Sequence, residues 1–245
     1  MIPKKIYYVW LGGNPLPAKI QANIATWREF NPDYEIIEIN ESNCDLDQYQ
    51  FVRTAYDYQY WAFASDVIRL QTIYEHGGFY FDTDVKMLKP LDDLRTYPSV
   101  WAMENSGDIN SGLILAAEPH DENIRNILDL YRQERFDPND IYAVITVGIV
   151  SQYFYGKEFV EKNKKQILAD GTLILPTQAF APLHYWNRRG KPSSKSYAIQ
   201  QYDASWGGDT EYSSKMQLIN NLKLHCPGLL RLLVKSKQLL RKGIH

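Results

Sequence analysis

Two carboxylates two residues apart, Asp82 and Asp84, lie inside the otherwise apolar stretch HGGFYFDTDVKML at 76–88. Phe79, Tyr80, Phe81, Val85, Met87 and Leu88 are strand-forming types; Gly77-Gly78 opens the run and Pro90 closes it. The pattern predicts a strand whose side chains alternate between faces. Phe79, Phe81, Thr83, Val85 and Met87 then share one face, and Tyr80, Asp82, Asp84, Lys86 and Leu88 share the other. Two rises place the aspartate Cα atoms roughly 6.5–7 Å apart. Carboxylates that close repel unless something positive sits between them. Oxygen ligands of this kind suit a hard divalent cation, Mg²⁺ or Mn²⁺, which keeps waters and takes a substrate's phosphates as further ligands. Asp-Thr-Asp makes sense as a bridge to a diphosphate. Taken alone, the pair fits an ordinary solvent-facing strand better. The phosphatase pattern Asp-x-Asp-x-Thr/Val is excluded, because Lys86 occupies its last position.

The segment before the acidic strand strengthens the signal. QYWAFASDVIRLQTIYE (59–75) reads as a helix, with Tyr60, Phe63, Val67, Leu70 and Tyr74 on its apolar stripe and Gly77 as its stop. Asp66 and Arg69 lie off that stripe, three residues apart and so neighbours on the helix surface. A Gly-Gly connection brings this helix back toward the aspartates.

Around these residues the chain alternates strand and helix patterns. IYYVWL (6–11) and YEIIEI (34–39) read as strands. Between them, a helix entered at Pro17 carries Ile20, Ile24 and Trp27 and stops near Asn31-Pro32. Strands are expected at 99–104 and 111–117, and a helix at 121–135 begun by Asp121. The apolar run 141–155 fits either helix or strand. A hairpin is expected at 167–175 around Asp170-Gly171, a strand at 196–202, and a helix at 209–224 capped by Asp209 or Thr210. Alternating elements followed by hairpins predict one α/β domain with a mixed sheet.

Composition bounds the rest. With 245 residues the chain can bury a sizeable core, and a formal net charge of −2 gives no global field for nucleic acid. The 18 tyrosines and 6 tryptophans suit sugar or base stacking as well as ordinary cores. Cys44 and Cys226 form neither a disulfide framework nor a zinc spacing, which points to a reducing compartment. No apolar stretch approaches the ~20 residues a bilayer requires. The expected location is cytoplasmic, or peripheral at the inner face of the plasma membrane.

The segment AFASDVIRLQTIYEHGGFYFDTDV resembles the Ala-x-x-Ser-Asp-x-x-Arg…Gly-Gly-x-Tyr-x-Asp-x-Asp signature of glycosyltransferase family 32. That family includes yeast Golgi mannosyltransferases and bacterial capsular-polysaccharide transferases; the glucosyltransferase domains of large clostridial toxins share its core. IPKKIYYVWLGG is similar to the family's opening strand, INSGLILA to its middle motif and YAIQQYDASW to its closing motif. The resemblance implies a GT-A fold, Rossmann-like with flanking helices, over 1–206, with 207–245 as a helical extension. It implies a nucleotide-sugar donor, uridine favoured and guanosine open, and a retaining, Mn²⁺- or Mg²⁺-dependent transfer to a glycan or lipid-linked acceptor. Bacterial capsule or exopolysaccharide synthesis is the implied setting.

Carried onto this sequence, Asp82 and Asp84 would hold the metal and diphosphate. Asp66 and Arg69 would contact the donor sugar, and Asn110 would lie near it. Val9, Trp10, Tyr80, Ser205 and Trp206 would line the donor site. Core packing is an equal expectation for Trp10. The family's closing motif reads His-His-x-x-x-Ser-Trp, whereas this chain has Gln200, Gln201, Tyr202, Asp203, Ala204, Ser205 and Trp206. A histidine there can ligate the metal, so Gln201 or Asp203 is the expected third ligand. His184 is read as a packing or surface residue, or a phosphate contact, and His76 as a helix-end residue. Arg188, Arg189 and Lys191 form a basic loop, solvated or lying over the diphosphate as a lid. Two other classes stay open: a noncatalytic carbohydrate-binding protein on the same fold, and a metal-dependent phosphohydrolase. The tail at 229–245, basic and leucine-rich with no acidic residue, fits either an amphipathic helix at an anionic membrane surface or a helix packed on the domain.

Overall fold

The computed structural model describes residues 1–139, 146–185 and 187–202. The expected helix at 209–224, the tail at 229–245, the boundary at 206/207, Cys226 and the site candidates Asp203, Ser205 and Trp206 lie outside the described residues. The elements in chain order are β1 (Lys5–Val9), α1 (Ala18–Phe30), β2 (Glu35–Ile39), α2 (Gln50–Asp57), α3 (Trp61–His76), β3 (Gly78–Tyr80) and β4 (Val85–Met87). Then follow β5 (Ser99–Ala102), β6 (Leu115–Ala117), α4 (Glu122–Gln133), α5 (Thr146–Tyr155), β7 (Gln166–Ile167), β8 (Leu173–Leu175), α6 (Thr177–Phe180) and β9 (Ala198–Gln200). The run at 141–155 resolves in favour of helix over its described part.

Seven strands make a mixed sheet in the order β2-β1-β3-β6-β5-β8-β7, and β4 pairs with β9 in a separate two-stranded sheet. β1 lies parallel between β2 and β3, so the carboxyl ends of these three strands share one edge. β6 then runs antiparallel to both β3 and β5. The alternation read from the sequence divides the side chains between two cores. Tyr7, Val9 and Tyr80 face a cluster built with Val67, Leu70 and Ile73 of α3. Ile6, Tyr8, Phe79 and Phe81 face the opposite cluster with Ile24 and Trp27 of α1.

α1 keeps the boundaries its punctuation dictates. Pro17 precedes it and Asn31 ends it, with the Asn31 N–H returning to the Trp27 carbonyl. Trp27 is fully buried and its indole N–H donates to the Val85 carbonyl at 2.8 Å, which ties α1 to β4. Replacing such a residue by alanine costs about 3–5 kcal/mol. α3 ends at Gly77, where φ is +62° and an added Cβ would meet Pro119 Cδ at 2.7 Å. Only glycine tolerates both demands, so the helix must stop there and return the chain to the sheet as β3.

One expectation fails. The stretch 79–88 is not a continuous strand: β3 ends at Tyr80, and a turn separates it from β4, which belongs to the other sheet. The Val85 N–H donates to the Asp82 carbonyl at 3.1 Å and closes that turn. Asp82 follows Tyr80 toward α3, as alternation requires, but Asp84 lies beyond the reversal and does not share a strand face with it. Asp is depleted in strands and its carboxylate bonds readily to nearby backbone, so the interruption falls on the Asp82–Asp84 segment.

Candidate active site

The site begins with α3. Arg69 is 4% exposed and lies on the helix side that faces β3. Its guanidinium pairs with Asp66 one turn earlier and donates through Nη1 to Asp82 Oδ1 at 2.9 Å. The Tyr80 hydroxyl donates to the same Oδ1 at 3.0 Å, and the guanidinium stands 5.4 Å from the Tyr80 ring centre. Burial, reinforced by the Asp82 charge, raises the Tyr80 phenol well above its ordinary pKa, so it remains a neutral donor. Four of the residues singled out in the sequence, Asp66, Arg69, Tyr80 and Asp82, are thus one bonded constellation. Arg69 Nε and the Ser111 Oγ of the adjoining loop are buried without a hydrogen-bond partner. Such atoms are costly unless a ligand or water satisfies them.

The second half of the turn is held differently. The Thr83 carbonyl accepts from Asn23 Nδ2 at 3.0 Å, and the Asp84 carbonyl accepts from the Gln201 N–H at 3.0 Å. Gln201 Nε2 donates to Asn23 Oδ1 at 2.6 Å, which closes a ring of amides around the turn. Asn23 was not recognised in the sequence. The signal was present: an asparagine beside Ile24 on the stripe of a helix is unfavourable unless its amide has a buried task.

Asn110 supports the site from the next loop. Its Oδ1 accepts from the Gly112 N–H at 2.7 Å, and the Gly112 carbonyl accepts from the Asp82 N–H at 3.0 Å. A Cβ on Gly112 would lie 2.0 Å from Asp82 Oδ2, so the carboxylate occupies the space that a side chain would fill. Asn110 Nδ2 donates to Glu104 Oε2 at 2.9 Å, while the Ser106 hydroxyl donates to Glu104 Oε1 at 2.8 Å. Glu104 belongs to no recognised motif. Its position depends on the Met103–Ile109 bridge, which no local pattern announces.

The remaining candidates have contacts of their own. Val9 is buried at the end of β1, and Trp10 is half-buried with its indole donating to the Asn14 carbonyl at 2.6 Å. Arg188 donates to the Gln201 carbonyl, and to the Tyr202 carbonyl at 2.9 Å, so it clamps the closing segment. His184 stacks on Tyr185 with ring centres 4.8 Å apart. Burial first, then the charges of Glu104 and Asp84, push the Tyr202 phenol far above its usual range. His76 sits at the end of α3 beside Glu75, away from these residues.

Asp82 and Asp84 offer the oxygen donors that a hard cation takes. Among the described residues, no group of three His, Cys, Asp or Glu stands ready to hold a metal. No helix among the described residues is long and apolar enough to cross a membrane.

Residues 17–101 match the family described as a glycosyltransferase sugar-binding region containing a DXD motif. Inositol phosphoceramide mannosyltransferase 3 of Schizosaccharomyces pombe is 31% identical over 123 residues, spanning 49% of this chain and 34% of that protein. Glucan organizing enzyme 1 of Cryptococcus neoformans var. grubii is 42% identical over 50 residues, 20% of this chain and 14% of that protein. The chain therefore spans about a third or less of the length of these curated relatives. The solved structure of PaToxG glycosyltransferase superposes with a TM-score of 0.52 at 19% identity, covering 64% of this chain and 70% of that one. The likeness shows the fold, a GT-A arrangement of mixed sheet and flanking helices. With the Asp-Thr-Asp turn, the paired Asp66 and Arg69 and the matched sugar-binding region in place, the chain is similar to the DXD-containing glycosyltransferases of the family 32 type.

Proposed function

We propose that this chain transfers a hexose from a nucleotide sugar to a glycan or lipid-linked acceptor, with retention at the anomeric carbon and with Mn²⁺ or Mg²⁺ held by Asp82 and Asp84. The observation that carries this is the constellation in which buried Arg69 and Tyr80 hold the partly exposed carboxylates of Asp66 and Asp82, with Arg69 Nε still lacking a partner. A lectin needs no fixed guanidinium beside a diphosphate motif, and a phosphohydrolase needs no sugar-directed carboxylate. Asp66 is aligned by Arg69 to accept from donor hydroxyls, and Arg69 lies where it can balance charge on the departing diphosphate. The ion supplies Lewis-acid stabilisation of that leaving group. Retention rests on the family resemblance. The mannosyltransferase relative brings mannose forward as the donor sugar, alongside the uridine-linked hexoses favoured from the sequence. The capsule setting and a peripheral membrane location through 229–245 remain part of this proposal.

The test is a thermal-shift panel of uridine and guanosine sugars with and without Mn²⁺, followed by donor turnover. A ligand confined to the native state raises Tm. Metal-dependent stabilisation by one donor class is expected, and Asp84→Asn should abolish it while leaving the unliganded Tm near wild type. Stabilisation that persists in Asp84→Asn would remove the metal assignment; no shift with any donor would favour the carbohydrate-binding alternative.

A further inference from the structure

The basic loop that follows α6 is a closed hairpin. The Arg188 N–H donates to the His184 carbonyl at 2.9 Å, the His184 N–H donates to the Arg189 carbonyl at 2.8 Å, and Leu183 bridges to Gly190. Gly190 has φ +113°, and a Cβ there would lie 2.1 Å from the Pro182 carbonyl oxygen, so only glycine closes the hairpin this tightly. The Asn105 side chain ties it down: it accepts from the Tyr185 N–H at 3.2 Å and donates to the Ala181 carbonyl at 3.2 Å. Arg188 itself takes a left-handed φ of +56°. Its exposed guanidinium turns back on the chain, donating to the Gln201 carbonyl and to the Tyr202 carbonyl at 2.9 Å, and stands 5.8 Å from the Tyr202 ring centre. A planar fork that serves two consecutive carbonyls suits arginine, and lysine does not reproduce it. Both carbonyls lie past Gln200, where β9 and its pairing with β4 end. Tyr202 has φ +48°, a costly conformation for a residue other than glycine that persists only where its surroundings hold it.

We propose that Arg188 is a positioning residue for the Asp-Thr-Asp turn, acting through the main chain of Gln201. The proposal rests on the transferase function above, with a divalent ion at Asp82 and Asp84. The path from the hairpin to the turn is short. Arg188 holds the carbonyls of Gln201 and Tyr202, and the Gln201 N–H holds the Asp84 carbonyl at 3.0 Å. Gln201 Nε2 donates to Asn23 Oδ1 at 2.6 Å, and Asn23 Nδ2 donates to the Thr83 carbonyl at 3.0 Å. Two successive carbonyls of the turn are thus fixed through one residue, and Arg188 fixes that residue. Groups that orient metal ligands from outside the ligand shell change metal affinity or activity by roughly 10–100-fold when they are removed. The guanidinium is committed to the two carbonyls, so the hairpin acts on the turn through hydrogen bonds and not as a free cation over a diphosphate. Arg189, next in the same hairpin, carries the same charge, and its side chain has no partner among the described residues.

Two measurements on the full chain separate the hydrogen-bond path from its consequence. Amide hydrogen exchange at Gln201 is read by NMR in EDTA, with the amides of β1 as the reference for general unfolding. Binding of Mn²⁺ alone is titrated by the paramagnetic resonance signal of the free ion. Arg188→Gln should speed exchange at Gln201 about tenfold or more while the β1 amides stay protected. The same variant should weaken Mn²⁺ binding about tenfold. Arg188→Lys keeps the charge without the fork and should show most of both losses. Arg189→Gln removes the same charge without touching the clamp and should behave as wild type in both measurements. Unchanged exchange at Gln201, or wild-type Mn²⁺ affinity in Arg188→Gln despite faster exchange, overturns the proposal. An equal loss in Arg189→Gln overturns it as well, because it assigns the effect to the charge of the loop. If the wild-type chain binds no Mn²⁺, the metal assignment of the transferase function fails first, and the positioning role falls with it.

Discussion

The two sides of the Asp-Thr-Asp turn are held by opposite means. On the α3 side, a buried guanidinium joins two carboxylates, and a phenol completes the arrangement. On the α1 side, neutral amides of Asn23 and Gln201 hold main-chain carbonyls, and the charged groups, Lys19 and Lys86, stand at an exposed groove. Charges fixed in a low-dielectric setting keep one geometry and interact strongly. Exposed ammonium groups on flexible stems are screened and adaptable. One side is therefore built for a ligand of constant shape, and on the other the amides of Asn23 and Gln201 fix the path of the backbone.

The sharpest way to break this comparison is Arg69→Leu. It strands Asp66 and Asp82 as neighbouring carboxylates with no cation between them. Arg69 is buried but Asp82 is partly exposed, so the loss is set by charge-assisted hydrogen bonds, about 1.5–3 kcal/mol, still a sizeable fraction of a typical domain's stability. Chemical denaturation should show that loss, with transfer abolished. Arg69→Lys should recover part of the stability but little activity, because one ammonium cannot span both carboxylates. A loss below ~1 kcal/mol for Arg69→Leu would mean that the α3 side is no more tightly held than the α1 side.

Gly112→Ala comes next. Its Cβ would lie 2.0 Å from Asp82 Oδ2 and 2.7 Å from Asp82 Cγ, so the carboxylate must move. Overpacking of this kind costs about 1–3 kcal/mol. A displacement of about an ångström at a reacting centre costs on the order of a hundredfold in rate. Activity should therefore fall far more than stability, read as kcat against the denaturation midpoint. Unchanged kcat would show that Asp82 need not sit where Arg69 and Tyr80 hold it.

A smaller effect is expected at Glu104, which acts through Asn110 as a positioning residue. Glu104→Ala should lower kcat about tenfold by releasing Asn110 from Gly112, with stability down ~1 kcal/mol. Glu104→Gln keeps an oxygen for Asn110, and the Ser106 hydroxyl can accept from the new amide. It should return kcat to within a few-fold of wild type. If Gln fails where a hydrogen bond suffices, the negative charge of Glu104 itself is needed.

These residues differ in how openly the sequence displays them. Asp66, Arg69 and Asp82 follow from helical spacing, a glycine stop and strand alternation, which are local rules that the structure obeys. α1, β2 and the hairpin expected at 167–175 were legible for the same reason. The reversal at Thr83–Asp84 was not, because strand-forming residues flank it on both sides and its cause is distant: β4 pairs with β9, more than a hundred residues later. α2 escaped notice because its eight residues have no side-chain cap, and Phe51, Val52 and Ala55 gain burial only from elements elsewhere in the chain. Asn23 and Glu104 act through long-range hydrogen bonds that no spacing rule encodes.

The gentlest test concerns Gln201, where this chain carries glutamine in place of the histidine of the family's closing motif. Its backbone N–H already holds the Asp84 carbonyl, and its side chain is turned to Asn23. Gln201→His gives up the bond to Asn23, a loss of about 0.5–1.5 kcal/mol. In exchange it brings an imidazole next to Asp84, and imidazole is a better ligand for Mn²⁺ than an amide. We expect the Tm without metal to fall by a few degrees and Mn²⁺ affinity to rise several-fold, read by thermal shift across a metal titration. The gain must depend on pH in a fixed direction. Only the neutral ring ligates, so the advantage should be full above the ordinary histidine pKa near 6.5 and vanish as pH falls through it. Wild type, with an amide that does not titrate, should show no such step. A gain that is flat with pH would assign the effect to the turn rather than to ligation. No gain at pH 8 would show that position 201 serves only to hold the backbone, which would make the α1 side of the turn wholly neutral scaffold.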